Sequence, residues 1–75
     1  MQTKFKRHQN VILLQDPDPE YIEYYEDVQE PILKGMHGKV NMLLPNGKYH
    51  VEIDNPAGEI IAYVVLDEDG LQAVE

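Results

Sequence analysis

The segment from Leu33 to Ile53 limits the possible folds of this chain more than any other. It opens on Gly35-Met-His-Gly38, where two glycines three residues apart suit a tight turn that needs positive φ. Gly38 to Leu44 follows with Val40, Met42 and Leu44 on one face at period two. Pro45-Asn46-Gly47 is a strong hairpin signal, compatible with a type I′ turn or with a type I turn closed by a glycine bulge. Lys48 to Asp54 then alternates cleanly, with Tyr49, Val51 and Ile53 on the inward face and Lys48, His50, Glu52 and Asp54 outward. A paired-glycine turn, a strand, a hairpin and a second strand in 21 residues commit the chain to antiparallel β-structure.

The flanks agree. Val11-Ile-Leu-Leu14 is a short apolar run suited to a strand buried on both faces, fed by a tight turn at Gln9-Asn10. Phe5, the single phenylalanine, is expected against one end of the core. Asn55-Pro-Ala-Gly58 has the residues of a type I turn, and Glu59 to Leu66 is the longest apolar strand. Asp67-Glu-Asp-Gly70 interrupts it, and Leu71 with Val74 suits one 3₁₀ turn and a short last strand. Residues 16–32 are different. Asp18 can cap a helix start with Pro19 at its first position. Like-charge pairs such as Glu23/Asp27 and Glu26/Glu30 weaken any longer helix by roughly 0.2–0.5 kcal/mol each. A short helical turn or an ordered arm is expected there.

Seventy-five residues make one domain, with a basic segment at 1–10 and the folded part at 11–75. A chain of this size buries only about 60% of its unfolded surface. There is no cysteine, so neither a disulfide nor a thiolate metal site can staple it, which fits a cytoplasmic protein. No apolar run approaches the roughly 20 residues of a membrane span, and no apolar stretch after the basic start has the length of a signal peptide. Lys4, Lys6 and Arg7 give the first ten residues a charge of +3, against −11 for the remainder. That acidic body repels nucleic-acid phosphates and anionic lipid and suits a basic partner.

Short strands joined by tight turns predict an all-β fold: a small antiparallel barrel of about five strands, with residues 16–32 as a long acidic first loop. In this order of elements the chain resembles the SH3-like small barrels of bacteria, and more narrowly the uncharacterised DUF4926 type. The matching residues are Val11 to Leu14, Gly35, Gly38, Val40, Gly47, Tyr49, Val51, Glu52, Gly58, Ala62, Leu66 and Leu71. The resemblance implies docking or scaffolding work; its motif is a barrel signature and not a catalytic one, and no cofactor is expected. The arm from Asp18 to Ile32 departs from that narrower type.

The arm is the candidate site. Asp16, Asp18, Glu20, Glu23, Glu26, Asp27 and Glu30 fall within 15 residues, with Tyr21, Tyr24 and Tyr25 among them and no base. Carboxylates beside aromatic faces hold Lys or Arg through charge and cation–π contact. Tyr21, Glu23, Tyr24, Glu26 and Asp27 are therefore the expected partner-binding residues of a non-enzymatic interaction module or accessory subunit. The plainer expectation is a solvated arm whose Ile22 closes one end of the barrel. A structural subunit of a larger enzyme complex and, lower, a nucleic-acid-binding barrel are the alternatives. The oligomeric state is open.

Other chemistry has little material. Asp16-x-Asp18-x-Glu20 with Asp27 at the twelfth place imitates a calcium loop, but Tyr21 occupies the position that requires glycine. His8, His37 and His50 lack metal-ligand spacing. There is no serine or cysteine to serve as a nucleophile.

Overall fold

The computed structural model of the chain describes residues 5–25 and 30–74. It contains six strands: β1 (Asn10–Leu13), β2 (Ile22–Tyr24), β3 (His37–Leu43), β4 (Lys48–Asp54), β5 (Ile60–Asp67) and β6 (Leu71–Ala73). Two single 3₁₀ turns, η1 (Pro19–Tyr21) and η2 (Glu68–Gly70), precede β2 and β6. The strands form one antiparallel sheet in the order β2-β5-β4-β3-β1-β6.

The turns follow their residues. At the β3–β4 hairpin the Gly47 N–H donates to the Leu44 carbonyl at 3.2 Å, and the Leu44 N–H donates to the Lys48 carbonyl at 2.8 Å. Gly47 has φ +81° and Asn46 does not have positive φ, so the turn is type I with a glycine bulge. At 55–58 the Gly58 N–H donates to the Asn55 carbonyl at 2.9 Å, the bond of a β-turn. The expected role of Gly38 is corrected. Gly35 has φ +91°, as a turn requires, but Gly38 has no positive φ. It is glycine because a Cβ there would stand 2.6 Å from the Glu52 carbonyl oxygen and 2.8 Å from a Val51 methyl.

Alternation places Tyr49, Val51 and Ile53 of β4 in the core, as their period-two pattern requires. Two register shifts disturb it elsewhere. One falls between Val40 and Met42, and it turns Met42 out of the core face that Val40 occupies. The other falls between Ile53 and Asp54 and leaves Ile61 and Ala62, consecutive residues of β5, both buried.

The sheet is open, not the closed SH3-like, DUF4926-type barrel of about five strands that the sequence suggests. The strand missed is β2, inside the supposed loop. Closure would need the two end strands, β2 and β6, to pair, and each is only three residues long. Pro17 and Pro19 lie between β1 and β2 and remove two backbone donors from the stretch that would carry the ladder onward.

Open does not mean flat. Three strands separate β5 from β6 in the sheet, yet only Glu68–Gly70 joins them along the chain. At ~4.8 Å per strand a flat sheet would hold them about 19 Å apart or more, beyond the ~14 Å that four Cα steps can reach. The sheet is therefore bent around a core that includes Val11, Leu13, Val40, Val64 and Leu71 from the strands and Phe5 and Ile32 from outside them, each at most 5% exposed.

Candidate functional site

The acidic-aromatic arm is built from its caps upward. The Asp18 carboxylate accepts the Glu20 N–H at 3.0 Å, and the Asp18 carbonyl accepts the Tyr21 N–H at 2.8 Å. With Pro19 presetting φ, these bonds close η1. The Ile22 N–H then donates to the Pro19 carbonyl, and the chain leaves extended. The helix that Asp18 and Pro19 could start does not run on past η1, because Ile22–Tyr24 joins the sheet as β2. Ile22 lies opposite Val64, Glu23 opposite Tyr63 and Tyr24 opposite Ala62. Ile22 packs against the core and fastens the arm.

A second tie lies at the start of the arm. The Asp16 carboxylate accepts the Lys34 N–H at 2.7 Å, joining the arm to the turn before β3.

Of the expected partner-binding residues, Tyr21 ends η1, and Glu23 and Tyr24 lie in β2; all three are exposed. Glu26 and Asp27 lie outside the described residues. Tyr25 follows β2 and donates its N–H to the Ile61 carbonyl at 2.9 Å. Tyr21, Tyr24 and Tyr25 thus line one margin of the sheet at 55, 38 and 46% exposure, the largest aromatic surface that the described residues give to solvent.

Beside this margin lies a cleft of about 520 Å³ lined by Tyr25, Glu30, Asn55, Gly58, Glu59, Ile60 and Ile61. Glu59 is held there by Asn55, whose amide donates to the Glu59 carboxylate at 3.2 Å. Among the described residues the lining has two carboxylates, a tyrosine, two isoleucines and no base. Sequence reasoning read Glu59 only as the start of a strand. Nothing local connects it to the arm; the β2–β5 pairing does.

A smaller cleft of about 320 Å³ is lined by Gly35, Met36, His37, Asp54, Asn55 and Pro56. Within that lining, His37 Nδ1 stands 3.6 Å from the Asp54 carboxylate. The other histidines have local roles. His8 takes φ +69° in the turn before β1 and donates its N–H to the Val40 carbonyl at 2.7 Å. The His50 ring stacks on Tyr63, with centroids 5.2 Å apart, and its Nδ1 lies 3.1 Å from the Asn41 amide nitrogen. Among the described residues, no group of three or more His, Asp or Glu is placed to hold a metal ion. In the calcium-loop imitation, Asp16 and Asp18 are each engaged with a backbone N–H, and Asp27 lies outside the described residues.

Among the described residues, no helix is long and apolar enough to cross a membrane. No family model, no curated protein and no solved structure matches this chain. The SH3-like and DUF4926 resemblance is therefore not supported by relatives, just as the open sheet does not support it as a fold.

Proposed function

We propose that this protein is a non-enzymatic interaction module or accessory subunit, set in the cytoplasm, that docks a partner with a basic surface. The supporting observation is the margin formed by β2 and its cleft. Exposed Tyr21, Tyr24 and Tyr25 stand with Glu20, Glu23, Glu30 and Glu59, and no base lies between Asp16 and Ile32. A guanidinium or ammonium group there meets carboxylates and aromatic faces together. Each cation–π contact is worth about 0.5–1 kcal/mol at an exposed site, and several in parallel give a weak, salt-sensitive complex.

The test is retention of a partner by the full chain, compared with a Glu20→Lys/Glu23→Lys/Glu30→Lys variant of matched thermal stability. The expected result is a partner with a basic surface that wild type retains, that salt elutes and that the variant loses. An unchanged set of retained proteins would overturn the reading and favour a structural subunit that uses another face.

A further inference from the structure

The margin of β2 is also an open hydrogen-bonding edge, and we infer that the basic partner docks there as an added β-strand. The inference rests on the proposed basic-partner reading and specifies its geometry. β2 is the end strand of the sheet. The bond from the Tyr25 N–H to the Ile61 carbonyl fixes which backbone groups face β5. In an antiparallel ladder these groups alternate, so Tyr25 and Glu23 point inward to β5 while the N–H and C=O of Tyr24 point outward. No strand pairs with that outward edge among the described residues.

Unpaired edges invite a further strand, and shortness and charge restrict which one enters. Both end strands here have three residues. The other end strand, β6 (Leu-Gln-Ala), carries no charge, whereas β2 carries Glu23 and is preceded by Glu20. A second copy pairing through β2 would bring two copies of the acidic stretch around Glu20 and Glu23 together, and like charges held close repel. A strand with Lys or Arg at alternate positions reverses the sign. Its basic side chains on one face fall beside Glu23, and its backbone pairs with Tyr24. The occupant is therefore an extended basic peptide segment, with backbone bonds supplying affinity and the carboxylates supplying selection.

The experiment uses the full chain with two synthetic eight-residue peptides of alternating Lys and Val. In one of them two successive central amides are N-methylated, which blocks both edges and leaves the charge intact. Binding is followed by NMR titration and by hydrogen exchange at the Tyr24 amide. The expected result is binding of the unmodified peptide with at least tenfold slowed exchange at Tyr24, and at least tenfold weaker binding of the methylated one. Equal binding of both peptides, or binding that leaves the Tyr24 amide unprotected, would overturn strand addition while the basic dock stands. Failure of both peptides to bind at low salt would remove the dock as well.

Discussion

The rings of Phe5 and Tyr49 meet nearly at right angles, with centroids 5.3 Å apart and planes 77° apart, and the Phe5 N–H donates to the Tyr49 hydroxyl at 3.3 Å. A residue well before β1 is thereby tied to the start of β4, and both side chains are buried. Edge-to-face pairs contribute about 0.5–1.5 kcal/mol beyond their area.

Phe5→Ala is expected to destabilise by about 3–5 kcal/mol, a large share of the roughly 4–11 kcal/mol typical of a domain this size. Tyr49→Phe keeps the ring pair and removes the hydroxyl, and should cost about 1 kcal/mol. Urea denaturation of the two variants checks the ranking; equal losses would show that the ring contact contributes little.

Gly38→Ala and Gly35→Ala separate two reasons for glycine. At Gly38, which pairs with Ile53 at one end of the β3–β4 ladder, the added methyl collides with the Glu52 carbonyl and Val51, and at least ~2 kcal/mol of destabilisation is expected, in the range of overpacking. At Gly35 nothing lies within 4 Å, and only the positive φ opposes the change, for about 1–2 kcal/mol. Thermal melts should therefore fall further for Gly38→Ala.

Asn55 organises the β4–β5 turn. Its side-chain oxygen accepts the Ala57 and Glu59 N–H groups at 3.0 and 2.9 Å, while its amide donates to the Glu59 carboxylate. Asn55→Ala should cost about 1–2 kcal/mol. Asn55→Asp keeps the acceptor and opposes two carboxylates, and adding Glu59→Gln should recover part of that loss. A double-mutant cycle on the melting midpoint measures the coupling; an additive result would deny the Asn55–Glu59 contact any energetic weight.

Asp16 and Asp18 hold the arm by separate bonds. Asp16→Ala should speed amide exchange at Lys34, and Asp18→Ala at Glu20, each with a loss of about 1 kcal/mol or less because both sites are exposed. Exchange rates unchanged at those two amides would show that the carboxylates do not hold the arm.

The local features of the fold were legible because single residues decide them. Pro45-Asn46-Gly47, Asn55-Pro56-Ala57-Gly58 and the Asp18-Pro19 start all form turns where their chemistry puts them. The misreadings concern decisions that no local pattern makes. Ile22-Glu-Tyr24 has a helix start before it, and becomes a strand because the edge of β5 is there to receive it. Met42 matches Val40 in sequence but not in space, since the register shift at Asn41 inverts the phase. The acidic cleft joins Glu30 and Glu59 across that same non-local pairing. Short strands and tight turns suggest closure into a barrel, but the end strands β2 and β6, three residues each, do not pair.

The pairing of β1 with β6, fastened by the bond from the Val74 N–H to the Asn10 carbonyl, has a kinetic consequence. β1 leaves the ribosome long before β6, so their pairing forms only after the intervening residues 14–70 have been made. Contacts of such long sequence separation slow folding. Until then Val11 and Leu13 lack one of the neighbours that shield them, and the nascent chain depends on its local hairpins, β3–β4 and β4–β5, to gather first.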